Sequence, residues 1–185
     1  TLNRPTERRV AKWIDALRSL IALDMTRIEE RIKRIEGTIT DACARAARER
    51  EDVRLVVVTK SAEIEQIQEV IRLGYDHLGE NRVQQLKKVA SQTAEFIQQS
   101  SDNPAIPREI HWHMIGHLQR NKVRPILSAV SLIHSVDTLR LAEEINNSAA
   151  RLGLCPRALL QVNTSNEPQK YGVPVGAATH LAEQI

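Results

Sequence analysis

The chain has 185 residues, of which 26 are Lys or Arg, 23 are Asp or Glu, 42% are hydrophobic and only 3% are aromatic. This composition is typical of a globular domain with one buried core, and it argues against intrinsic disorder. No apolar stretch approaches the roughly 20 residues that a membrane-spanning helix needs, so no membrane association is predicted.

The net charge of +3 arises near the amino terminus, where residues 1–50 hold 12 basic and 8 acidic groups. Arg31, Lys33 and Arg34 alternate with glutamates, which is the pattern of a solvated helix face. Because the basic stripe is weak, no nucleic-acid partner is predicted. An RNA-binding or interaction module that uses these helices stays open as an alternative.

The first 24 residues form a predicted amphipathic helix, because their apolar residues repeat with helical spacing and charged residues interrupt them. This pattern differs from the continuous apolar segment of a signal peptide. The chain begins with Thr1, and its first methionine is Met25. We therefore expect residues 1–24 to be an N-terminal helical extension and residues 25–185 to form one domain.

The two cysteines, Cys43 and Cys155, lie far apart in the sequence and have no metal-ligand spacing around them. A disulfide framework is therefore not expected, and a reducing, cytoplasmic setting is predicted.

A leading helix followed by alternating strands and helices is the predicted order of elements. The predicted strands cover residues 53–59, 75–79, 110–115, 131–135 and 158–163. The predicted helices cover residues 26–49, 61–74, 81–92, 120–128, 138–152 and 174–185, with Ser61 and Asp137 as helix caps. This alternation indicates an α/β fold with a parallel sheet and right-handed crossovers.

A doubly wound sheet and a (βα)₈ barrel both fit this alternation. No glycine-rich phosphate loop follows the first strand, where the turn reads Thr59-Lys60-Ser61, and this weakens the dinucleotide-binding version. A barrel usually needs about 250 residues. If the fold is a barrel, the five predicted βα units make it incomplete.

Lys60 is the first candidate for chemistry, because it follows a strand that is apolar on both faces. The carboxyl ends of such strands carry the active sites of barrel enzymes. Partial burial favours a neutral amine, which Schiff-base formation with an aldehyde requires. The alternative is that Lys60 extends to solvent or pairs with Glu80.

Polar residues end several of the other predicted strands. Asn81 can contact a ligand or cap the helix that follows it. The spacing of His111 and His113 suggests zinc, but no acidic residue or cysteine lies at ligand spacing, so no metal is predicted. His113 is expected to point into the mouth of the fold. Gln161 and Asn163 suggest a polar pocket, and we take Asn163 as a further binding candidate.

Six short motifs occur in an order that matches one known family. They are Val58-Thr-Lys60, Gly79-Glu-Asn-Arg-Val-Gln84, Trp112-His-Met-Ile-Gly-His-Leu-Gln119, Asn121-Lys122, Ile133-His-Ser-Val-Asp137 and Leu160-Gln-Val-Asn163. Over about residues 25–185, the chain resembles the pyridoxal phosphate homeostasis proteins, single-domain relatives of the alanine racemase N-terminal barrel.

This resemblance implies a (βα)₈ barrel of the TIM type that holds pyridoxal 5′-phosphate (PLP) as an internal aldimine on a lysine after the first strand. The matching residue here is Lys60. Asn81 and His113 match positions that line the cofactor mouth. Lys170 matches a loop lysine suggested as a secondary or transfer site, although a solvated loop lysine is the alternative.

The resemblance further implies a non-enzymatic PLP carrier whose partners are PLP and PLP-requiring apo-enzymes, and we expect a monomer. A PLP-dependent racemase or decarboxylase, or a Schiff-base aldolase, is the alternative. A PLP-dependent racemase or decarboxylase is disfavoured, because the family lacks the second domain that contributes the opposing tyrosine base in racemases. For an aldolase, Glu80 is the only acid evident near Lys60.

The family's phosphate-binding elements follow its sixth strand, and this sequence ends before them. Backbone N–H groups and arginine are the usual anchors of a phosphate. We therefore expect a barrel truncated after about five βα units, with a weaker non-covalent hold on PLP and an exposed edge on the fifth strand.

Overall fold

The computed structural model describes residues 27–185, which fall into two compact units. The chain passes from the first unit to the second between Arg54 and Leu55. The expected boundary between an extension of residues 1–24 and the following domain lies outside the described residues and stays a prediction.

The described part of the first unit contains helix α1, seen over residues 27–45, and a 3₁₀ turn, Arg50–Asp52. The helix was expected to reach residue 49 but ends earlier, because Ala47 adopts a left-handed conformation with φ of 51°. Two ion pairs use the charged face of this unit, Lys33 to Glu29 at 2.8 Å and Arg50 to Glu36 at 2.7 Å. Ion pairs therefore join charged side chains of this unit, including two on the helix face that was predicted to be solvated.

The second unit is built on a five-stranded sheet in which all strands are parallel. Its strands are β1 (Val57–Val58), β2 (His77–Glu80), β3 (His111–Met114), β4 (Val130–Val136) and β5 (Arg157–Leu160). They lie in the order β1-β2-β3-β4-β5, so each strand neighbours the next one along the chain. The predicted α/β fold with a parallel sheet is confirmed. A second parallel pair joins β6 (Val162–Asn163) to β7 (Val173–Pro174).

Helices connect most of these strands and supply buried stripes. They are α2 (Ile64–Arg72), α3 (Val83–Gln99), α4 (Leu139–Leu152) and α5 (Val175–Gln184). The buried residues recur every three or four positions, as in Leu86, Val89 and Thr93 of α3. Helix α3 contacts β2 and β3, so its buried stripe packs against these strands. Leu78 of β2 and Met114 of β3 are buried as well. None of the helices within residues 27–185 is long and apolar enough to cross a membrane.

Several element boundaries differ from the expectation, and the first strand, expected over residues 53–59, is limited to Val57–Val58. Helix α2 begins at Ile64, where Glu63 and Gln66 form a reciprocal cap, because Ser61 lies within the turn that follows β1. Helix α4 is capped by the Thr138 hydroxyl, which accepts from the Leu141 N–H, and not by Asp137. Helix α3 extends seven residues further than expected, to Gln99.

Two further expectations about regular structure are wrong. The segment 120–128 forms two 3₁₀ turns instead of an α-helix, and Pro125 lies in the second turn, where it has no N–H to donate. The expected fifth strand, 158–163, divides at Gln161. The Gln161 N–H donates to Val136 of β4, whereas its carbonyl accepts from Val173 of β7. One residue therefore joins both sheets, and the strand changes partner there.

Candidate functional site

The carboxyl ends of β1 to β4 lie along one edge of the sheet, because all four strands run parallel. We call this edge the carboxyl rim. Lys60 lies there within a turn in which the Ala62 N–H donates to the Thr59 carbonyl at 3.0 Å. The side chain of Lys60 is exposed, and no ion pair joins it to any other residue between 27 and 185. The amine is therefore accessible from solvent, as in the alternative expectation, and the partial burial expected for Lys60 does not occur.

Glu80, the alternative partner of Lys60, is engaged elsewhere. Its side chain is fully buried, and its Oε1 accepts a hydrogen bond from the Thr59 hydroxyl at 2.6 Å. The other carboxyl oxygen, Oε2, is buried without a hydrogen-bond partner among the described residues. Burial raises the pKa of Glu80 above its ordinary value, against the opposing effect of the Thr59 hydrogen bond. The Lys60–Glu80 pairing is therefore not formed.

Asn81 follows β2 and is held by a close contact with the chain after β3. A Cβ on Gly116 would lie 2.2 Å from the carbonyl oxygen of Asn81, so only glycine permits this approach. The helix-capping alternative for Asn81 does not occur, because the N-cap of α3 is Arg82 and no side chain caps that helix. Sequence reasoning missed Gly116, although a glycine directly after a strand was a visible signal.

Lys60, Asn81 and His113 differ in their depth below the rim. A Cβ on Gly79 would contact Val56 at 3.3 Å and Ile115 at 3.4 Å, which shows that these positions share one face of the sheet. His113 belongs to the same face, because it lies two residues before Ile115 and pairs in register with Gly79. It therefore lies two residues, or roughly 6.6 Å, deeper than Ile115, the first residue after β3.

His113 is part of a buried chain of histidines below the rim. Its ring is 3% exposed, with Nε2 at 2.9 Å from His77 Nδ1 and Nδ1 at 2.7 Å from His134 Nε2. Burial lowers the pKa of His134, which favours the neutral imidazole. Both ring nitrogens of His113 thus contact neighbouring strands, whereas the sequence led us to expect a side chain pointing into the mouth.

Asn163 holds the loop that follows β6. Its side-chain amide donates to the carbonyls of Glu167 at 3.0 Å and Lys170 at 3.3 Å. At the other end of the loop, Gly172 has φ of 125°, and a Cβ there would lie 2.6 Å from the Asn163 nitrogen. Asn163 therefore shapes the loop directly. Lys170 itself is exposed and forms an ion pair with Glu167.

An aromatic contact joins this loop to the rim. The ring of Tyr171 stacks on His117, with centroids 4.0 Å apart and planes at 11°. His117 Nδ1 lies 3.5 Å from the Asp137 carboxylate, and these two residues follow β3 and β4. The stack could not be predicted from the sequence, because it joins positions far apart in the chain.

A cleft of about 310 Å³ opens on the rim beside α3. Asn81, Arg82, His117 and Lys122 are among the residues that line it. The cleft therefore combines an amide and an imidazole with two basic side chains. The structure brings Asn81 to this cleft, whereas Lys60 lies on the adjacent strand end, His113 lies deeper and Asn163 reaches the rim through the loop. The rim as a whole presents an amine, hydrogen-bonding groups and positive charge.

Several curated proteins are similar to this chain, although no family model matches it. Three of them are named pyridoxal phosphate homeostasis protein: one from Aquifex aeolicus, 34% identical over 78% of the chain, one from Vibrio alginolyticus, 32% identical over 87%, and one from Helicobacter pylori, 38% identical over 72%. The chain spans 58%, 66% and 55% of the length of these relatives, respectively. Their names describe homeostasis proteins and no catalysed reaction.

Solved structures are similar as well. A crystal structure of a protein of unknown function from Bifidobacterium adolescentis has a TM-score of 0.77 and 33% identity over 86% of this chain and 64% of its own. PipY of Synechococcus elongatus, solved with PLP bound, has a TM-score of 0.57 and 29% identity over 78% of this chain and 62% of its own. Both similarities extend over most of the described chain.

Proposed function

Because the chain belongs to the family of the pyridoxal phosphate homeostasis proteins, we propose that it binds PLP and holds it as a Schiff base on Lys60. PLP supplies an aldehyde, which condenses with a neutral amine and releases water. PipY, a structural neighbour, has been solved with PLP bound. This supports PLP as the ligand of the present chain.

The position of an accessible lysine at the carboxyl rim carries the proposal. Its side chain is exposed at the carboxyl end of β1, and no carboxylate among residues 27–185 forms an ion pair with it. Condensation with an aldehyde needs an amine that the aldehyde can reach. The amine of Lys170, on the nearby loop, is instead engaged by Glu167.

The other proposed binding residues are Asn81, His113 and Asn163, and they support the site in different ways. Asn81 lines the basic cleft, so its amide can donate to or accept from the cofactor directly. His113 lies one layer below on the same face and is held by two other histidines. Asn163 positions the loop that carries Tyr171. We assign positioning roles to His113 and Asn163: His113 supports the base of the site, and Asn163 supports the loop at its side.

We extend the proposal to the fold and infer that the five strands are part of a (βα)₈ barrel of the TIM type. The support is the uninterrupted order β1-β2-β3-β4-β5 with every pair parallel. A doubly wound sheet reverses its strand order at a switch point, and no reversal occurs within this sheet.

We also propose that the protein acts as a carrier that supplies PLP to apo-enzymes and catalyses no reaction. The aldolase alternative needs an acid or base beside the lysine, and Glu80 is fully buried against Thr59 instead. No contact in the described chain specifically favours an enzyme. Turnover of amino acids or aldehydes by the purified protein would contradict the carrier role.

A spectroscopic PLP titration tests this proposal. PLP is added to the full chain, to Lys60→Ala and to Lys170→Ala, and the absorbance of the Schiff base is followed. We expect the native protein and Lys170→Ala to saturate at one PLP per chain, and we expect Lys60→Ala to lose the saturable signal. Saturation by Lys60→Ala with the native midpoint would overturn the assignment of Lys60.

A further inference from the structure

The amino-terminal ends of β2 and β3 bring together a second group of polar side chains, far from Lys60 along the strands. His77 and His111 are the first residues of these strands and pair in register, with their rings stacked at 4.6 Å. Asp76 precedes β2, and its carbonyl accepts from the His111 N–H at 2.7 Å. Its carboxylate lies 3.9 Å from His77 Nε2. One potential ligand atom from each of the three residues lies within 4.8 Å of the others.

Each histidine is also held through its Nδ1 atom. His77 Nδ1 lies 2.9 Å from His113 Nε2, and His111 Nδ1 lies 3.4 Å from the Ser131 hydroxyl. A metal-binding histidine typically uses one ring nitrogen for the ion and the other for a supporting hydrogen bond, which fixes the ring. The two rings already have this supporting arrangement, with partners on β3 and β4.

The group is half-buried, so its ligand atoms are partly shielded from solvent and still accessible to an ion. The side chains of His77 and Asp76 are 16% and 42% exposed. An ion can therefore enter from solvent and still exchange much of its hydration shell for protein ligands. In a tetrahedral zinc site with metal–nitrogen distances near 2 Å, ligand atoms lie roughly 3.3 Å apart. To close the remaining gap, the half-exposed Asp76 carboxylate rotates and the two stacked rings, whose planes lie at 25°, tilt toward a common ion.

We propose that Asp76, His77 and His111 bind one divalent transition-metal ion of the zinc type, with a fourth position open to water. Two imidazoles and one carboxylate are a donor set that zinc accepts. From the sequence no metal was predicted, because no acid lies at ligand spacing along the third strand. The structure supplies the acid and the second imidazole from the neighbouring strand. The ion would tie β2 to β3 at the edge opposite the carboxyl rim.

Metal uptake by the full chain tests the proposal. Metal-free protein is dialysed against zinc chloride, and bound zinc is measured by atomic emission for native protein, His111→Ala, Asp76→Asn and two controls. The controls are His180→Ala, which removes an exposed histidine of α5, and Cys155→Ser, which removes an exposed thiol. We expect about one zinc per native chain, and the same in both controls. We expect at least a tenfold loss of affinity in His111→Ala and in Asp76→Asn.

Two measurements distinguish loss of the metal site from loss of folding. Asp76→Asn keeps the shape of an exposed side chain, so it decides the question if His111→Ala fails to fold. Zinc should raise the melting temperature of the native protein and leave that of Asp76→Asn unchanged, because binding stabilises only a folded state that holds the site. No uptake by native protein, or undiminished uptake by Asp76→Asn, would overturn the proposal. PLP binding by Asp76→Asn is expected to be native, which separates this site from the proposed function.

Discussion

Glu80 places a carboxyl group in a fully buried position behind the end of β1, where the Thr59 hydroxyl is its hydrogen-bond donor. Its pKa is raised mainly by burial. The folded protein therefore holds this proton more tightly than the unfolded chain does. By linkage, stability falls as the pH rises from the ordinary glutamate pKa, about 4.3, toward the raised folded-state value. At neutral pH the buried Glu80 carboxyl group therefore lowers the stability of the folded protein.

Replacing this group with an amide should remove that pH dependence. We expect Glu80→Gln to be at least as stable as the native protein at pH 7, because no charge is then buried, and we expect the difference to shrink as the pH approaches 4. Urea unfolding between pH 4 and pH 7 measures this. Glu95→Gln, which changes an exposed glutamate on α3, serves as the control and should follow the native curve. A constant difference between Glu80→Gln and the native protein at all pH values would contradict the account.

Individual residues differ in how far the sequence could predict them. The location of Lys60 at a strand end could be predicted, because a short apolar, β-branched run is easily recognised. The surroundings of His113 could not, since its partners His77 and His134 lie 36 and 21 residues away in the chain. Only the register of three strands brings these rings together. The same limit applies to the His117–Tyr171 stack.

At the level of elements, the ends of β2 and β3 depend on one glycine. The Ile115 N–H donates to the Glu80 carbonyl at 2.9 Å, which aligns the two strand ends. Directly after this bond, Gly116 packs against the backbone of Asn81. Any side chain at this position has to move the backbone of one strand end. The geometry of the cleft therefore depends on the absence of a Cβ atom.

Gly116→Ala should consequently destabilise the fold. Its Cβ would lie 2.2 Å from the Asn81 carbonyl oxygen, and overpacking of this kind typically costs about 1–3 kcal/mol of unfolding free energy. The matched control is Gly37→Ala within α1, where a Cβ meets no described atom within 4 Å and alanine should stabilise the helix. Urea unfolding of both variants measures the effect. Native stability in Gly116→Ala would show that the two strand ends are not in close contact.

The elements that the sequence predicted less well have local physical causes. The segment around Pro125 has helical periodicity, but proline cannot donate the hydrogen bond that a continuous α-helix needs. The strand expected over residues 158–163 has continuous strand-like composition, and it divides because Gln161 bonds to both β4 and β7. Composition does not record which strand is the partner, so such a division could not be predicted.

For the molecule as a whole, the alternation of strands and helices was sufficient to predict a parallel α/β sheet. The structure shows the strand order β1-β2-β3-β4-β5, which the alternation alone does not determine. One edge of that sheet carries Lys60 and the basic cleft, and the opposite edge carries the Asp76, His77 and His111 group. The two proposed sites therefore lie at opposite ends of the same strands.

The proposed Schiff base forms on one lysine among the seven in the sequence. Several of the others are exposed, including Lys87 and Lys88 on α3, so exposure alone does not select Lys60. Its position at the carboxyl rim, beside the cleft lined by Asn81, Arg82 and Lys122, provides the selectivity in this account. Selective modification is therefore the property to measure.

The most direct measurement is to mix the purified protein with PLP, reduce the Schiff base with borohydride, digest the product and locate the modified lysine by mass spectrometry. We expect one dominant adduct on Lys60 in the native protein and the loss of that adduct, without transfer to another lysine, in Lys60→Ala. Labelling spread evenly over Lys60, Lys87, Lys88 and the other exposed lysines would contradict it and would mean that this chain has no specific PLP site.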